Sequence, residues 1–102
     1  MTDTIVKFYL ARADRNGESV QDDKLESIKV KLAKITGGFS QYDIKGYWIN
    51  ENQILIKEST QILESFTDQS KIEEIQALAA DYKESCNQES VLITINGAPV
   101  FS

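Results

Sequence analysis

The first apolar positions of the chain recur with a period of two. Val6, Phe8 and Leu10 fall on one side, and Lys7 and Tyr9 on the other. This predicts a strand over Thr4–Ala11, because successive side chains of an extended backbone leave opposite faces. Asn16-Gly17 then predicts a turn or loop over residues 12–18. The period next lengthens. Leu25, Ile28, Leu32 and Ile35 recur at helical spacing, with Lys29, Lys31 and Lys34 off the stripe, so residues 21–35 are predicted to form an amphipathic helix. Asp22 and Asp23 suit the positive end of its dipole, and Gly37-Gly38 ends it through the left-handed conformation that glycine tolerates.

Residues 39–49 are predicted as a second strand with a bulge at Gly46, and residues 50–52, Asn-Glu-Asn, as the turn that makes a hairpin with a third strand over residues 53–66. In that third strand Ile54, Ile56, Ile62 and Phe66 share one parity, while Lys57, Ser59 and Gln61 take the other. The apolar set is expected to face the core, and Glu58 goes with it. Asp68 is the expected N-cap of a second helix ending near Ser85, with Ile72, Ile75, Leu78, Ala79, Tyr82 and Cys86 as its stripe. A last strand is expected over residues 89–95, followed by an Asn-Gly-Ala-Pro turn.

The order β-α-β-β-α-β predicts an α+β fold: a two-layer ferredoxin-like sandwich over residues 1–102, with an antiparallel sheet and both helices on one face. The other sheet face is left open. A chain of 102 residues suits one domain.

Composition narrows the chemistry. The chain has no histidine, which removes His-based triads, His proton shuttles and most zinc sites. The one cysteine, Cys86, excludes an internal disulfide and lies in the apolar phase of the second helix with no evident base beside it. The net charge is −5 with lysine and arginine scattered, so neither nucleic acid nor an anionic membrane is an expected partner. No apolar run reaches membrane-span length and no signal peptide is evident, so a cytoplasmic location is expected. No segment has the spacing of a metal loop, and neither metal nor cofactor is expected.

What remains is carboxylate chemistry. In the expected topology the end of the first strand lies near the beginnings of the third and fourth, so Arg12, Glu58 and Glu89 converge at one edge, with Gln88 beside them. One reading of Arg12 between two carboxylates is a structural ion network. The other is a small-molecule pocket, with Arg12 holding an anionic group and the glutamates supplying acid–base chemistry. Tyr9, Tyr42, Trp48, Ser59 and Ser90 are assigned to the open face, where aromatic anchors suit a homodimer or another protein partner.

Taken together, Arg12, Gly46 and Trp48, Glu58-Ser59, Tyr82 and Gln88-Glu89-Ser90-Val91 resemble a bacterial family known as domain of unknown function 3574. The resemblance covers most of the chain and implies one compact domain, but it implies no particular activity. The expected function is therefore a homodimerising or protein-interaction module acting through the open face. The alternative is a small-molecule-binding protein or carboxylate-based enzyme centred on Arg12, Glu58 and Glu89.

Overall fold

The computed structural model describes residues 2–102. The elements are β1 (Thr4–Ala11), α1 (Asp22–Thr36), β2 (Ser40–Ile49), β3 (Leu55–Thr67), a 3-10 turn (Gln69–Lys71), α2 (Ile72–Ser85), β4 (Leu92–Ile95) and β5 (Ala98–Phe101). The strands make one antiparallel sheet in the order β2-β3-β1-β4-β5. The α1 end matches the sequence, whereas Asp68, expected to cap the second helix, caps the 3-10 turn before it, and α2 itself follows Lys71 with no side-chain cap. Gly37 ends α1 at φ 92°, its N–H reaching the Ala33 carbonyl, and Asp68 accepts the Ser70 N–H at the start of the turn that leads into α2. The fifth strand was not expected. Asn96-Gly97 places both residues at positive φ and folds Ala98–Phe101 back along β4, the tight hairpin geometry that Asn-Gly favours.

A single buried cluster joins Val6, Phe8 and Leu10 of β1, Leu63 of β3 and Ile93 of β4 to Leu25, Ile28 and Leu32 of α1 and Ile75, Leu78, Ala79 and Tyr82 of α2. The strand residues of this cluster define the core face of the sheet. Phe8 lies opposite Leu63, and Tyr9 lies opposite Ile62. The core face of β3 is therefore built from its odd positions, the reverse of the expected parity.

The correction covers the whole strand. Gln61, Leu63, Ser65 and Thr67 are buried on the core face, whereas Phe66, 60% exposed, lies on the second face with Ile56, Glu58 and Ile62. The register from Ser40↔Glu64 to Ile49↔Leu55 is unbroken, so Gly46 marks no bulge that could restore the expected phase. Polar groups tolerate the core face where they are bonded. The Ser65 hydroxyl donates to the Gly38 carbonyl at 3.1 Å and lies 3.3 Å from Thr36 Oγ1.

The second face consequently carries Ile5, Tyr9, Tyr42, Ile62 and Phe66, around the Lys7–Glu64 ion pair at 3.8 Å. Tyr9 and Tyr42 flank Ile62 from either side and leave it 6% exposed. Ser59, assigned by sequence parity to this face, belongs to the core-face parity instead, because the Arg12 N–H bonds its carbonyl and continues the β1–β3 ladder.

Candidate functional site

The site exists because β1 is shorter than β3. Their ladder closes at Ala11↔Thr60, followed by the Arg12 N–H donating to the Ser59 carbonyl at 3.2 Å. The β2–β3 hairpin continues to Ile49↔Leu55. Its outer half thus projects beyond β1 as an arm. A cleft of about 740 Å³ opens between this arm, the loop after β1 and the connection from α2 to β4.

The loop after β1 is built around Asp14. Its Oδ1 accepts the N–H groups of Asn16 at 2.8 Å and Glu18 at 3.0 Å, while its own N–H donates to the Glu18 carbonyl at 2.7 Å. Gly17 at φ 79° makes the turn possible. The loop is then tied to the end of α2. The Arg15 N–H donates to the Asn87 carbonyl at 3.0 Å, and the Arg15 guanidinium donates to the Gln88 carbonyl at 2.9 Å. The buried Gln88 amide donates to the carbonyls of Ala13 and Cys86, each at 3.1 Å. Gln88 is a clamp between loop and helix end, so its side chain is occupied in holding the cleft wall.

The Glu18 N–H, above all, holds the Asp14 carboxyl below its ordinary 3.8; desolvation opposes this, and Asn16, Asn87 and Arg15 add to it. A depressed carboxyl stabilises the fold fully above its unfolded value and ceases to do so as pH falls through its folded one. The amide resonances of Asn16 and Glu18 are therefore expected to titrate with a midpoint below 3.8. Asp14→Asn is expected to remove that transition, and a midpoint above 3.8 in the native protein would contradict the turn described here.

Tyr82 fixes the strand end from which Arg12 enters the cleft. Its hydroxyl accepts the Ala11 N–H at 2.8 Å and donates to the Ala11 carbonyl at 3.1 Å. Odd positions of β1 turn toward β4, as the Ile5–Asn96 bonds show. The phenol thus takes the place that a longer β4 would have occupied. Burial holds the Tyr82 hydroxyl well above its ordinary range, with smaller contributions from Cys86 and Glu58, so it stays protonated and able to donate.

Arg12, Glu58, Gln88, Glu89, Trp48, Ser59 and Ser90 all line the cleft. Tyr9 and Tyr42 do not; they lie farther along the second sheet face. The convergence does not produce the expected ion network. Among the described residues Arg12 makes its ion pair with Asp22, at 3.9 Å, and none with Glu58 or Glu89. Register gives the reason. Arg12 shares the core-face parity with Ser59, whereas Glu58 shares the second face with Gly46, so the two side chains start on opposite sides of the sheet and meet only around its open edge. Glu89 lies before β4, which begins at Leu92, and its side chain is exposed rather than directed into the core layer.

Sequence reasoning missed Asp14 and Arg15, and by parity it placed Lys57 on the open sheet face; all three line the cleft. The Asp-Arg-Asn-Gly-Glu run carried the signal for the first two, since an aspartate two residues before Asn-Gly or a glycine commonly bonds the amides ahead of it. The result is a concave site with an exposed indole, Trp48, a half-buried carboxylate, Glu58, and flanking cations Arg12, Arg15 and Lys57. No group of three or more His, Cys, Asp or Glu among the described residues is placed to hold a metal ion. No described helix is long and apolar enough to cross a membrane.

The sequence profile of the family described as Protein of unknown function (DUF3574) matches residues 6–101. The chain belongs to this family. No curated protein is similar to this DUF3574 chain in sequence. Among solved structures it is similar to a phage SAM lyase in complex with S-methyl-5'-thioadenosine, with a TM-score of 0.70 and 14% identity over 99% of this chain and 88% of that one. It is also similar to a phage SAM lyase in the apo state, with a TM-score of 0.66 and 16% identity over 97% of this chain and 86% of that one. At such identity the likeness shows a shared fold.

Proposed function

We propose that this DUF3574 chain is a single ferredoxin-like domain, extended by the edge strand β5, whose cleft binds an adenosyl sulfonium or the thioether nucleoside derived from it. The observation that carries this reading is the set of groups around the cleft: Trp48 with Ile56, Glu58 with Glu89, and Arg12 with Arg15. The volume of about 740 Å³ falls within the range of small-molecule sites. An indole face suits both a purine and a sulfonium, the latter through a cation–π attraction of about 0.5–1 kcal/mol at an exposed position. The glutamates oppose the cationic end of such a ligand, and the guanidinium groups suit its carboxylate. The fold shared with a protein that holds S-methyl-5'-thioadenosine selects this class among cationic and nucleoside ligands. Without histidine, Glu58 is the group best placed to move a proton or hold an ammonium.

Calorimetric titration with S-adenosylmethionine and S-methyl-5'-thioadenosine tests the reading. Micromolar binding of at least one is expected, and Trp48→Ala and Glu58→Gln are each expected to weaken it by about ten-fold or more, equivalent to about 1.4 kcal/mol, with little change in Tm. Release of S-methyl-5'-thioadenosine from S-adenosylmethionine would show turnover. Failure of both ligands to bind at millimolar concentration sinks the proposal.

A second reading rests on a separate observation, the inverted polarity of β3. Exposed Ile5, Tyr42 and Phe66 make the second face more apolar than a solvent face requires. We infer that a second copy of the chain covers it. Lys7 and Glu64 neutralise one another at its centre, so two molecules each carrying −5 repel least when they meet there.

A further inference from the structure

The arm that makes the cleft also leaves part of the sheet edge unpaired. In an antiparallel sheet the N–H and C=O of one residue point to the same neighbour, and the direction alternates along the strand. The Ser59 carbonyl accepts the Arg12 N–H, so the odd positions of β3 turn toward β1. Even positions turn toward β2, as the Asn50 N–H bond to the Ile54 carbonyl at the hairpin end shows. Glu58 and Ile56 therefore spend their main-chain groups on the ladder with Gly46 and Trp48. Lys57 lies between them and faces the other way.

No strand remains opposite it. Beyond Arg12 the chain leaves the sheet: the Arg12 carbonyl accepts the Val20 N–H at 2.8 Å, and Ala13 bridges Ser19. Among the described residues no protein group bonds the cleft-facing N–H and C=O of Lys57. Main-chain polar groups are obligatory hydrogen-bonding groups, and an unpaired edge is a template for whatever presents the complementary pair.

We propose that the Lys57 main chain reads the purine of the bound nucleoside, its N–H donating to N1 and its C=O accepting from the N6 amino group of adenine, beside Trp48 and Ile56. This rests on the nucleoside reading given above and deepens it, because it makes the site selective for a 6-aminopurine. Hypoxanthine presents an acceptor at position 6 and a donor at position 1, the reverse order, and leaves both Lys57 groups opposed to like partners. A peptide strand would need several successive edge positions; Lys57 offers one N–H and one C=O within the cleft.

The test uses the whole chain with S-methyl-5'-thioadenosine and its inosine counterpart as probes. The wild type is expected to bind the adenosine compound at least about ten-fold more tightly. Of the main-chain groups, Lys57→Pro removes the cleft-facing N–H, which the β2 ladder does not use, so proline is tolerable there; it is expected to keep the wild-type circular dichroism spectrum and to lose about ten-fold or more in affinity relative to Lys57→Ala, which lacks the same side chain. Lys57→Ala removes the ammonium but keeps the main chain, and is expected to retain the wild-type preference for the adenosine compound over the inosine compound whatever its absolute affinity. Equal affinity for the two nucleosides overturns the inference, as does a folded Lys57→Pro that binds like Lys57→Ala. If Lys57→Pro fails to fold, the 1-deaza analogue decides, because it removes the N1 acceptor in the native protein. Loss of binding in Trp48→Ala and Glu58→Gln alongside equal affinity for the two bases would retain the cleft and discard the role of Lys57. No binding of either nucleoside to the wild type would discard both.

Discussion

Leu63→Asp is expected to unfold the protein, while Phe66→Asp is expected to leave it folded and to abolish self-association. The two positions lie three residues apart in β3 on opposite faces. Leu63 is fully buried, opposite Phe8, whereas Phe66 is 60% exposed opposite Ile5. An aspartate at 63 would place an unpaired carboxylate inside the apolar cluster, which costs more than about 4–5 kcal/mol and exceeds much of the stability of a chain this size. At 66 the same carboxylate stays in water in the monomer. In a face-to-face dimer it would be desolvated against the apolar face of the second copy. Thermal unfolding separates the first effect and sedimentation velocity at micromolar concentration the second. The face assignment fails if Phe66→Asp unfolds and Leu63→Asp does not. The dimer fails if the wild type sediments as a monomer throughout.

This strand also shows where the sequence stopped being legible. The β1 alternation, the stripes of α1 and α2 and the cap at Gly37 are local signals, and the structure follows them; Asp68 caps a 3-10 turn one step ahead of α2. In β3 the stronger apolar alternation, Ile56-Ile62-Phe66, lies on the face away from the core. The core face carries Gln61, Ser65 and Thr67, all of which pass for surface residues until their surroundings are known. Ser65 is tolerated inside by a bond to Gly38, which no period within the strand reveals. Periodicity reports which side of a strand is apolar. It names the core side only if the other side is polar.

The candidate site divides along the same line. Topology alone brought Arg12, Glu58 and Glu89 to one cleft, because antiparallel neighbours meet end to start. Their partners were beyond its reach. Arg12 pairs with Asp22, at the start of α1, and the Gln88 amide serves two main-chain carbonyls. Lys57 had no side-chain signal to give, since its interest lies in the main chain and in the early end of β1.

Tyr82→Phe is the second large effect expected, and it separates the pin at Ala11 from the packing beneath it. The phenylalanine keeps the ring that packs at a tilt of 56° against Phe8, 5.9 Å between centroids, and removes only the hydroxyl. Ala11 then loses the acceptor for its N–H and the donor to its C=O. Leaving such groups unpaired costs about 1–3 kcal/mol where water cannot replace the partner. Tyr82→Ala adds a cavity at a position only 1% exposed and is expected to cost about 3–5 kcal/mol. Denaturant unfolding gives both values. The pin also predicts a result that packing does not. Arg12 directly follows Ala11, so Tyr82→Phe should weaken ligand binding at the cleft while the rest of the β1–β3 ladder keeps its amide protection. If Tyr82→Phe is as stable as wild type and binds as well, the hydroxyl is only filling the gap left by the short β4. The cleft wall would then be held by Gln88 and Arg15 alone.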